Sequence, residues 1–417
     1  MATKMIADID VAGKTVLMRV DFNVPIAQGK VSDDIRIVEA LPSIRRVLEA
    51  GGKLVLMSHL GRPKGKGFEA EFSLKPAAGR LGELLGKPVR LGPPGVVGPE
   101  TDKLVAGLAR GEVVLLENLR FHPGETMPDQ AKKNPDGKLT AEQQKTHDGF
   151  VAALAGLGQV YVNDAFGTCH RKHASMFGLA KAIQGKGGPA VAGFLVEKEI
   201  KYLHEAVDSP TRPFVAILGG VKVSDKIKLI ATLLEKVDRV LIGGAMAYTL
   251  LKAKGTPVGK SLVEEDQVEA MKSLLARAGE KVVLPADHVV TDDFDAGRPT
   301  TTDCDDIPSE LMGMDIGPRT VRAFGEEIAK AKTIVWNGPM GVFEKEGYAA
   351  GTKAVARAVA KATQAGAVSV IGGGDSAAAV EQMGLKDQMT HVSTGGGASL
   401  TYLEGKAMPA IDVLDRK

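Results

Sequence analysis

Short apolar runs recur along this chain with amphipathic, helix-length stretches between them, and that alternation leaves few folds open. Runs of 5–8 apolar residues suit strands buried on both faces. The stretches 34–50, 74–85, 224–237, 264–278, 317–331 and 350–363 carry the 3.6-residue period of helices, and the first ends at the stop signal Gly51-Gly52. Strand, helix and strand in that order make right-handed βαβ units and a mostly parallel sheet. Two such series, in a chain of 417 residues, exceed what one hydrophobic core usually supports. The expected class is therefore α/β: two doubly wound, mostly parallel-sheet (Rossmann-like) domains. The division is expected near 185–193 (GKGGPAVAG), so that the domains cover 1–185 and 194–403. An amphipathic helix is expected over 194–207. It either carries a rigid-body motion between the domains or packs as a plain connection in one core.

The strands end in two ways. In the first half they run into polar and cationic side chains: 15–24 reaches Asp21 and Asn23, 53–62 reaches His59 and Arg62, 112–121 reaches Arg120, and 159–171 reaches Asp164, His170 and Arg171. In the second half, 214–220, 239–244, 333–338, 367–374 and 391–397 run into glycine. Ligands of open parallel sheets sit beyond the carboxyl ends of the strands. A cationic rim suits a small anion, with arginine forks matching carboxylate and phosphate. A glycine rim lets backbone N–H groups approach phosphates. His170-Arg171-Lys172-His173 has a metal-like spacing but no acidic support.

Bulk properties exclude other classes. Net charge is +2, too small for a nucleic-acid binder. Residues 1–195 hold 26 Lys+Arg against 20 Asp+Glu, while the remainder has an acidic excess, which fits a local anion site. Aromatics make up only 4%, so stacking platforms for single strands are not expected. The two cysteines, Cys169 and Cys304, build no disulfide framework and suggest a reducing compartment. No stretch approaches a membrane span, and the start has no apolar signal core. A soluble, cytoplasmic protein is expected. Residues 123–147 are polar and turn-rich, and read as a surface excursion without chemistry.

Three segments compete as phosphate cradles. Residues 255–261 (GTPVGKS) have three rather than four residues between the glycines and follow a helix, so they read as a turn and not a P-loop. Residues 372–377 (GGGDSA) formally match a dinucleotide fingerprint, but Asp375 would repel a pyrophosphate unless a cation such as Mg²⁺ lay between. As a bare helix start, Asp375 would instead cap the N-terminus. Residues 219–226 (GGVKVSDK) place Lys222 and Lys226 about a helix N-terminus, against its dipole, a conflict that a bound phosphate would offset. Residues 336–344 (WNGPMGVFE) follow a strand and end on Glu344, an acceptor suited to ribose hydroxyls.

Taken jointly, 20–25 (VDFNVP), 58–63 (SHLGRP), 117–121 (ENLRF), 163–167 (NDAFG), 219–226, 336–344, 372–376 and 393–399 (STGGGAS) resemble the phosphoglycerate kinase family, in order and over nearly the whole chain. The resemblance implies a glycolytic kinase that interconverts 3-phosphoglycerate plus ATP with 1,3-bisphosphoglycerate plus ADP. It implies a phosphoglycerate-binding first domain, to which the tail 404–417 returns, a helix joining it to a nucleotide-binding second domain, and a monomer with Mg²⁺ as cofactor. Carried over by motif, Asp21, Asn23, Arg36, His59, Leu60, Gly61, Arg62, Arg120 and Arg171 would hold the phosphoglycerate. Arg36, Lys222, Gly373 and Gly396 would serve the transfer. Lys226, Gly313, Asn337, Glu344, Gly373, Gly374, Asp375 and Ser376 would hold the nucleotide, with Asp375 nearest the metal. The chain departs from the family pattern at Val221, Ala245, Ser376, Cys169 and Thr401-Tyr402, none of which removes a charge that the chemistry needs.

Phosphoryl transfer leaves a protein mostly positioning and charge neutralisation to do. Water has to be kept out, so closure on both substrates is expected. Two rivals stand against this reading. A nicotinamide-dependent oxidoreductase would need an acidic residue about 20 positions past the glycines at a strand end, where this chain reads Thr390-His391-Val392-Ser393. A non-catalytic anion scaffold leaves two different rims unexplained.

Overall fold

The structure, a computed structural model, describes residues 2–417. The chain divides into two compact units, Met1–Ile200 with Ala407–Lys417, and Lys201–Lys406. The division falls inside the helix Phe194–Val207 and not at the glycine-proline stretch, because Ala190–Ala192 in that stretch is an edge strand of the first unit's sheet.

The first unit is built on a six-stranded, all-parallel sheet. Its strands are β1 (Thr15–Val20), β2 (Lys53–Met57), β3 (Arg90–Leu91), β4 (Val113–Leu115), β5 (Val160–Asp164) and β6 (Ala190–Ala192), in the order β3-β4-β2-β1-β5-β6. β5 is buried along its whole length, as expected of a parallel sheet covered on both faces. Ile37, Ala40, Ile44 and Val47 of helix Ile35–Glu49 recur at helical spacing and pack on Val16, Met18, Leu54 and Leu56. Each such aliphatic side chain contributes about 1.5–3 kcal/mol by leaving water. The strands are shorter than the apolar runs suggest. Ladder pairing stops at Val20, Met57, Leu115 and Asp164, and the polar residues beyond form turns above the sheet.

Two features tie chain ends to this unit. The backbone N–H of Asp415 donates to the Ala190 carbonyl (2.9 Å) and that of Lys4 to the Asp415 carbonyl (2.7 Å). At the other end of β5, Asp164 Oδ1 accepts from the N–H groups of Leu195 (2.9 Å) and Val196 (3.3 Å), capping helix Phe194–Val207. Gly193 permits this, since a Cβ there would lie 2.3 Å from Asp164 Oδ1.

The second unit has its own six-stranded parallel sheet. Its strands are β7 (Phe214–Leu218), β8 (Arg239–Ile242) and β9 (Val282–Val283), and then, beyond an inserted antiparallel sheet of β10 (His288–Thr291), β11 (Thr300–Thr301) and β12 (Met312–Ile316), come β13 (Thr333–Asn337), β14 (Val368–Gly372) and β15 (His391–Val392). The parallel order is β9-β8-β7-β13-β14-β15, so the winding reverses between β7 and β13. That reversal is where a doubly wound sheet opens a crevice for ligands. Trp336 at the sheet centre is fully buried, with its indole N–H donating to the Gly338 carbonyl at 2.8 Å. Residues 255–261 form a turn: Gly255, at φ +95°, ends helix Met246–Lys254, and Val258 bridges to Ile307.

Candidate functional site

The turns beyond β1, β2 and β4 in the first unit gather most of the expected anion-binding residues. Arg36, in the first turn of helix Ile35–Glu49, donates to Asp21 Oδ2 at 3.1 Å. Asn23 Oδ1 accepts the Gly61 N–H (2.8 Å), and the Gly61 carbonyl accepts from Arg120 (2.6 Å). Gly61 stands at φ +59° with the Phe72 ring 2.5 Å from where a Cβ would sit, so only glycine fits there. The Leu60 carbonyl is held by the Asn118 side-chain amide at 2.7 Å. His59 Nδ1 lies 3.8 Å from Asp21 Oδ1 and precedes Leu60 in the chain, which joins Asp21, Asn23, Arg36, His59, Leu60, Gly61 and Arg120 in one cluster.

Two side-chain atoms of this cluster are buried with no partner in the protein: Asp21 Oδ1 and Arg120 Nε. A buried acceptor beside a buried donor is costly unless a ligand satisfies both. Burial, followed by the nearby Arg19 charge, holds the Arg120 guanidinium below its usual range. Arg62 is exposed and makes no hydrogen bond or ion pair among the described residues. Arg171 sits apart, donating to His170 Nε2 (2.9 Å) and approaching Asp129 (3.5 Å). Burial, then Arg171, pushes the His170 imidazole down to about 4, so it is neutral at pH 7.

The expectation that 123–147 lies wholly at the surface does not hold at Glu125. Glu125 is fully buried, and its carboxylate accepts both the N–H (2.9 Å) and the hydroxyl (2.7 Å) of Ser175. Asp129 accepts from His173 (3.0 Å), which holds its carboxyl down at about 2. The segment looks solvated in sequence because its acids resemble surface charge, whereas Glu125 is buried against Ser175 and Asp129 meets His173 and Arg171. Arg19, Ser175 and Glu125 were not among the expected site residues. Arg19 carried a signal, being a charged residue inside an otherwise apolar strand.

In the second unit the glycine ends prove to be of two kinds. Gly219, Gly244 and Gly338 interlock the turns after β7, β8 and β13: a Cβ on Gly219 would lie 2.0 Å from the Pro339 carbonyl, and one on Gly338 would lie 2.2 Å from that of Gly219. Their N–H groups serve the fold as well, since Gly219 donates to the Asn337 carbonyl (2.9 Å) and Gly244 to that of Met340 (2.9 Å). Gly374 and Gly396 differ, for a Cβ on either would meet nothing within 4 Å. They stand at the starts of helices Gly374–Gln382 and Gly397–Leu403, where free N–H groups favour an anion. Glycine thus serves close packing between turns at Gly219, Gly244 and Gly338, and leaves open helix starts at Gly374 and Gly396.

Lys226 caps helix Ile227–Lys236 and reaches into the reversal between β7 and β13, donating to the Asn337 carbonyl (3.0 Å) and to Asn337 Oδ1. Loss of hydration pushes its ammonium down to about 8, with Asp375 and Asp225 opposing the shift. The Asn337 amide donates to the Gly372 carbonyl (2.9 Å), and Ser376 Oγ accepts the Gly338 N–H (2.6 Å). Gly373 stands at φ +93°, and a Cβ there would lie 2.8 Å from the Asn337 amide nitrogen. Asp375 is exposed in the first helical turn and is not the cap, a position that Gly373 takes. Lys222 and Glu344 are exposed and unpaired among the described residues. Gly313 lies in β12 with its N–H donated to Ser261 Oγ (2.9 Å), and the neighbouring Met314 carbonyl accepts from Val342 (3.0 Å), which brings that strand to the 338–344 turn.

Known proteins resemble this chain over nearly its whole length. Residues 6–406 match the family model described as phosphoglycerate kinase. A phosphoglycerate kinase of Chloroherpeton thalassium is 54% identical over 418 residues, covering 99% of each chain. One from Rhodopirellula baltica is 54% identical over 419 residues and covers 100% of each. Among solved structures, phosphoglycerate kinase from Coxiella burnetii superposes with a TM-score of 0.84 at 38% identity, covering 99% of this chain and 98% of that one. The Pyrococcus horikoshii enzyme gives 0.81 at 33% identity, with the same coverage.

Proposed function

The chain belongs to the phosphoglycerate kinase family, and on that footing we propose which of its residues carry each part of the reaction. It is a glycolytic kinase: it transfers a phosphoryl group reversibly between ATP and 3-phosphoglycerate, giving ADP and 1,3-bisphosphoglycerate. In our reading the cationic cluster of the first unit holds the phosphorylated acid. Arg62, Arg120 and Arg171 meet its phosphate and carboxylate, and the unpartnered Asp21 Oδ1 accepts from its hydroxyl. His59 and Asn23 complete that pocket, with Leu60 and Gly61 as its backbone wall. Arg36, braced by Asp21, lies over the acyl oxygen where charge develops.

The turns after β7, β13 and β14 hold the nucleotide. Lys226 meets its phosphates, Gly373, Gly374 and Ser376 present the helix start, and Gly313, Asn337 and Glu344 frame the base and sugar. Lys222, unpaired and exposed, neutralises the transferring group, aided by the N–H of Gly373 and Gly396. Asp375 fits Mg²⁺, since its carboxylate is exposed, caps nothing and stands where phosphates would lie. Magnesium supplies charge neutralisation on the phosphates. The enzyme acts as a cytoplasmic monomer in this reading. No helix among the described residues is long and apolar enough to cross a membrane.

The observation that carries the assignment of roles is the pair of buried, unsatisfied atoms at Asp21 and Arg120, which a hydroxylated anion would satisfy. The test is a coupled assay of 1,3-bisphosphoglycerate formation from 3-phosphoglycerate and Mg·ATP, run on the wild type and on Arg120→Ala. A normal KM for the acid in the variant would refute the placement.

A further inference from the structure

Behind His59 the first unit holds a buried chain of polar groups that touches no expected substrate atom. Arg19 projects from near the carboxyl end of β1 and is fully buried, as are Ser175 and Glu125. Its guanidinium donates from Nε to Ser175 Oγ (2.9 Å), from one terminal nitrogen to the Val20 carbonyl, and from the other to His59 Nδ1 (3.0 Å). Ser175 in turn donates its hydroxyl to Glu125 Oε1 at 2.7 Å. The polarity of this chain is fixed at both ends. A guanidinium has donors only, so His59 Nδ1 must accept. An ionised carboxylate accepts only, so the Ser175 hydroxyl points to Glu125 and turns its lone pairs toward Arg19.

We propose that Glu125, Ser175 and Arg19 are positioning residues that lock His59 as the neutral tautomer with its proton on Nε2, presented as a hydrogen-bond donor to the bound acid. Donors matter here because the ligand offers oxygen acceptors. A His59 with the proton on Nδ1 would present a lone pair to an anion and repel it. Burial, followed by the charges of Arg19, Arg120, His173 and Arg36, disfavours a second proton on the imidazole, and Asp21 Oδ1 lies 3.8 Å from Nδ1, too far to hydrogen-bond. The imidazolium is thereby suppressed, and the ring stays a donor through one nitrogen. Glu125 balances the Arg19 charge at a distance, through a hydroxyl, and so leaves the fork free to hold His59.

This inference rests on the reading of His59 as a contact to the phosphorylated acid, so the test separates the two. Long-range ¹H–¹⁵N spectra of the substrate-free protein, with His59 assigned by loss of its signal in His59→Gln, should show a single Nε2–H tautomer that does not titrate between pH 5 and 8. Ser175→Ala, which removes one hydroxyl and little volume, should release Arg19, and the His59 signals should then mix tautomers or begin to titrate. KM for 3-phosphoglycerate should rise about tenfold, as expected for losing one hydrogen bond to a charged group, with KM for Mg·ATP moving less than twofold. In a His59→Gln background, Ser175→Ala should add nothing further to KM. An Nδ1–H tautomer in the wild type, or an undiminished effect of Ser175→Ala without His59, would overturn the proposal. If the wild-type tautomer is as stated but His59→Gln leaves KM for the acid unchanged, the substrate contact fails while the positioning chain stands. Should Ser175→Ala not fold, Glu125→Gln gives the same spectral readout.

Discussion

Lys226 should make nucleotide binding depend on pH in a way that can be calculated. Its ammonium sits at about 8 in the free protein because it is shielded from water, with only the uncharged Asn337 oxygens for partners. Nucleotide phosphates would restore its ordinary value of about 10.4. The sign follows: the complex holds a proton that the free protein loses as pH rises through 8, so binding takes up protons and weakens at high pH. At pH 8 about half a proton should be taken up per nucleotide bound, and at pH 9 about nine-tenths. Affinity for Mg·ADP at pH 9 should be about tenfold below that at pH 7. Calorimetric titrations in two buffers of different ionisation enthalpy measure uptake directly. Lys226→Arg keeps its charge throughout and should bind with a flat profile. Zero uptake at pH 9, or an unchanged pH dependence in Lys226→Arg, would refute the reasoning.

Three further outcomes are expected. Arg36→Ala and Lys222→Ala should each lower kcat by roughly 10²–10³ while shifting Mg·ADP affinity far less, measured by the coupled assay beside direct titration; near-normal turnover in either would remove that residue from the transfer step. Asp375→Asn should raise the Mg²⁺ concentration needed for half-maximal activity, and chelation of Mg²⁺ should abolish turnover in both proteins; equal Mg²⁺ requirements would count against Asp375 as a ligand. Asp164, whose carboxyl burial pushes up to about 7, binds its proton more tightly folded than unfolded. Wild-type stability should therefore fall as pH rises from about 4 to 7, by at most about 1.4 kcal/mol per unit from this group, and Asp164→Asn should remove that slope in urea melts; parallel profiles would show that the group does not act this way.

How much could be read in advance varies by element. The strand cores were legible because parallel strands buried on both faces must be continuously apolar, as Val160–Asp164 and Phe214–Leu218 are nearly throughout. The helices that were expected lie within a few residues of their predicted positions, but Pro99–Ala106 and Ala141–Gly156 were not foreseen. Nor was the inserted antiparallel sheet, since β10, β11 and β12 are only 4, 2 and 5 residues long and lie in an acid-rich segment without alternation. At the site, Asp21, His59 and Arg120 stood out as polar groups at strand ends, and Lys226 as a cation at a helix N-terminus. Glu125 could not, because a buried carboxylate and a solvated one read alike when their partners, here Ser175, lie 50 residues away.

The amino-acid order alone determined the two parallel sheets and the family, because apolar period and motif spacing are local properties of a chain. Only the tertiary structure decided which glycines are open and which interlock, that Lys226 is tied to Asn337, and that Arg19 reaches His59 with Glu125 behind it. Those facts depend on which groups face each other once water is excluded. In that setting a partner's distance sets a group's charge and proton, and no separation along the chain encodes it.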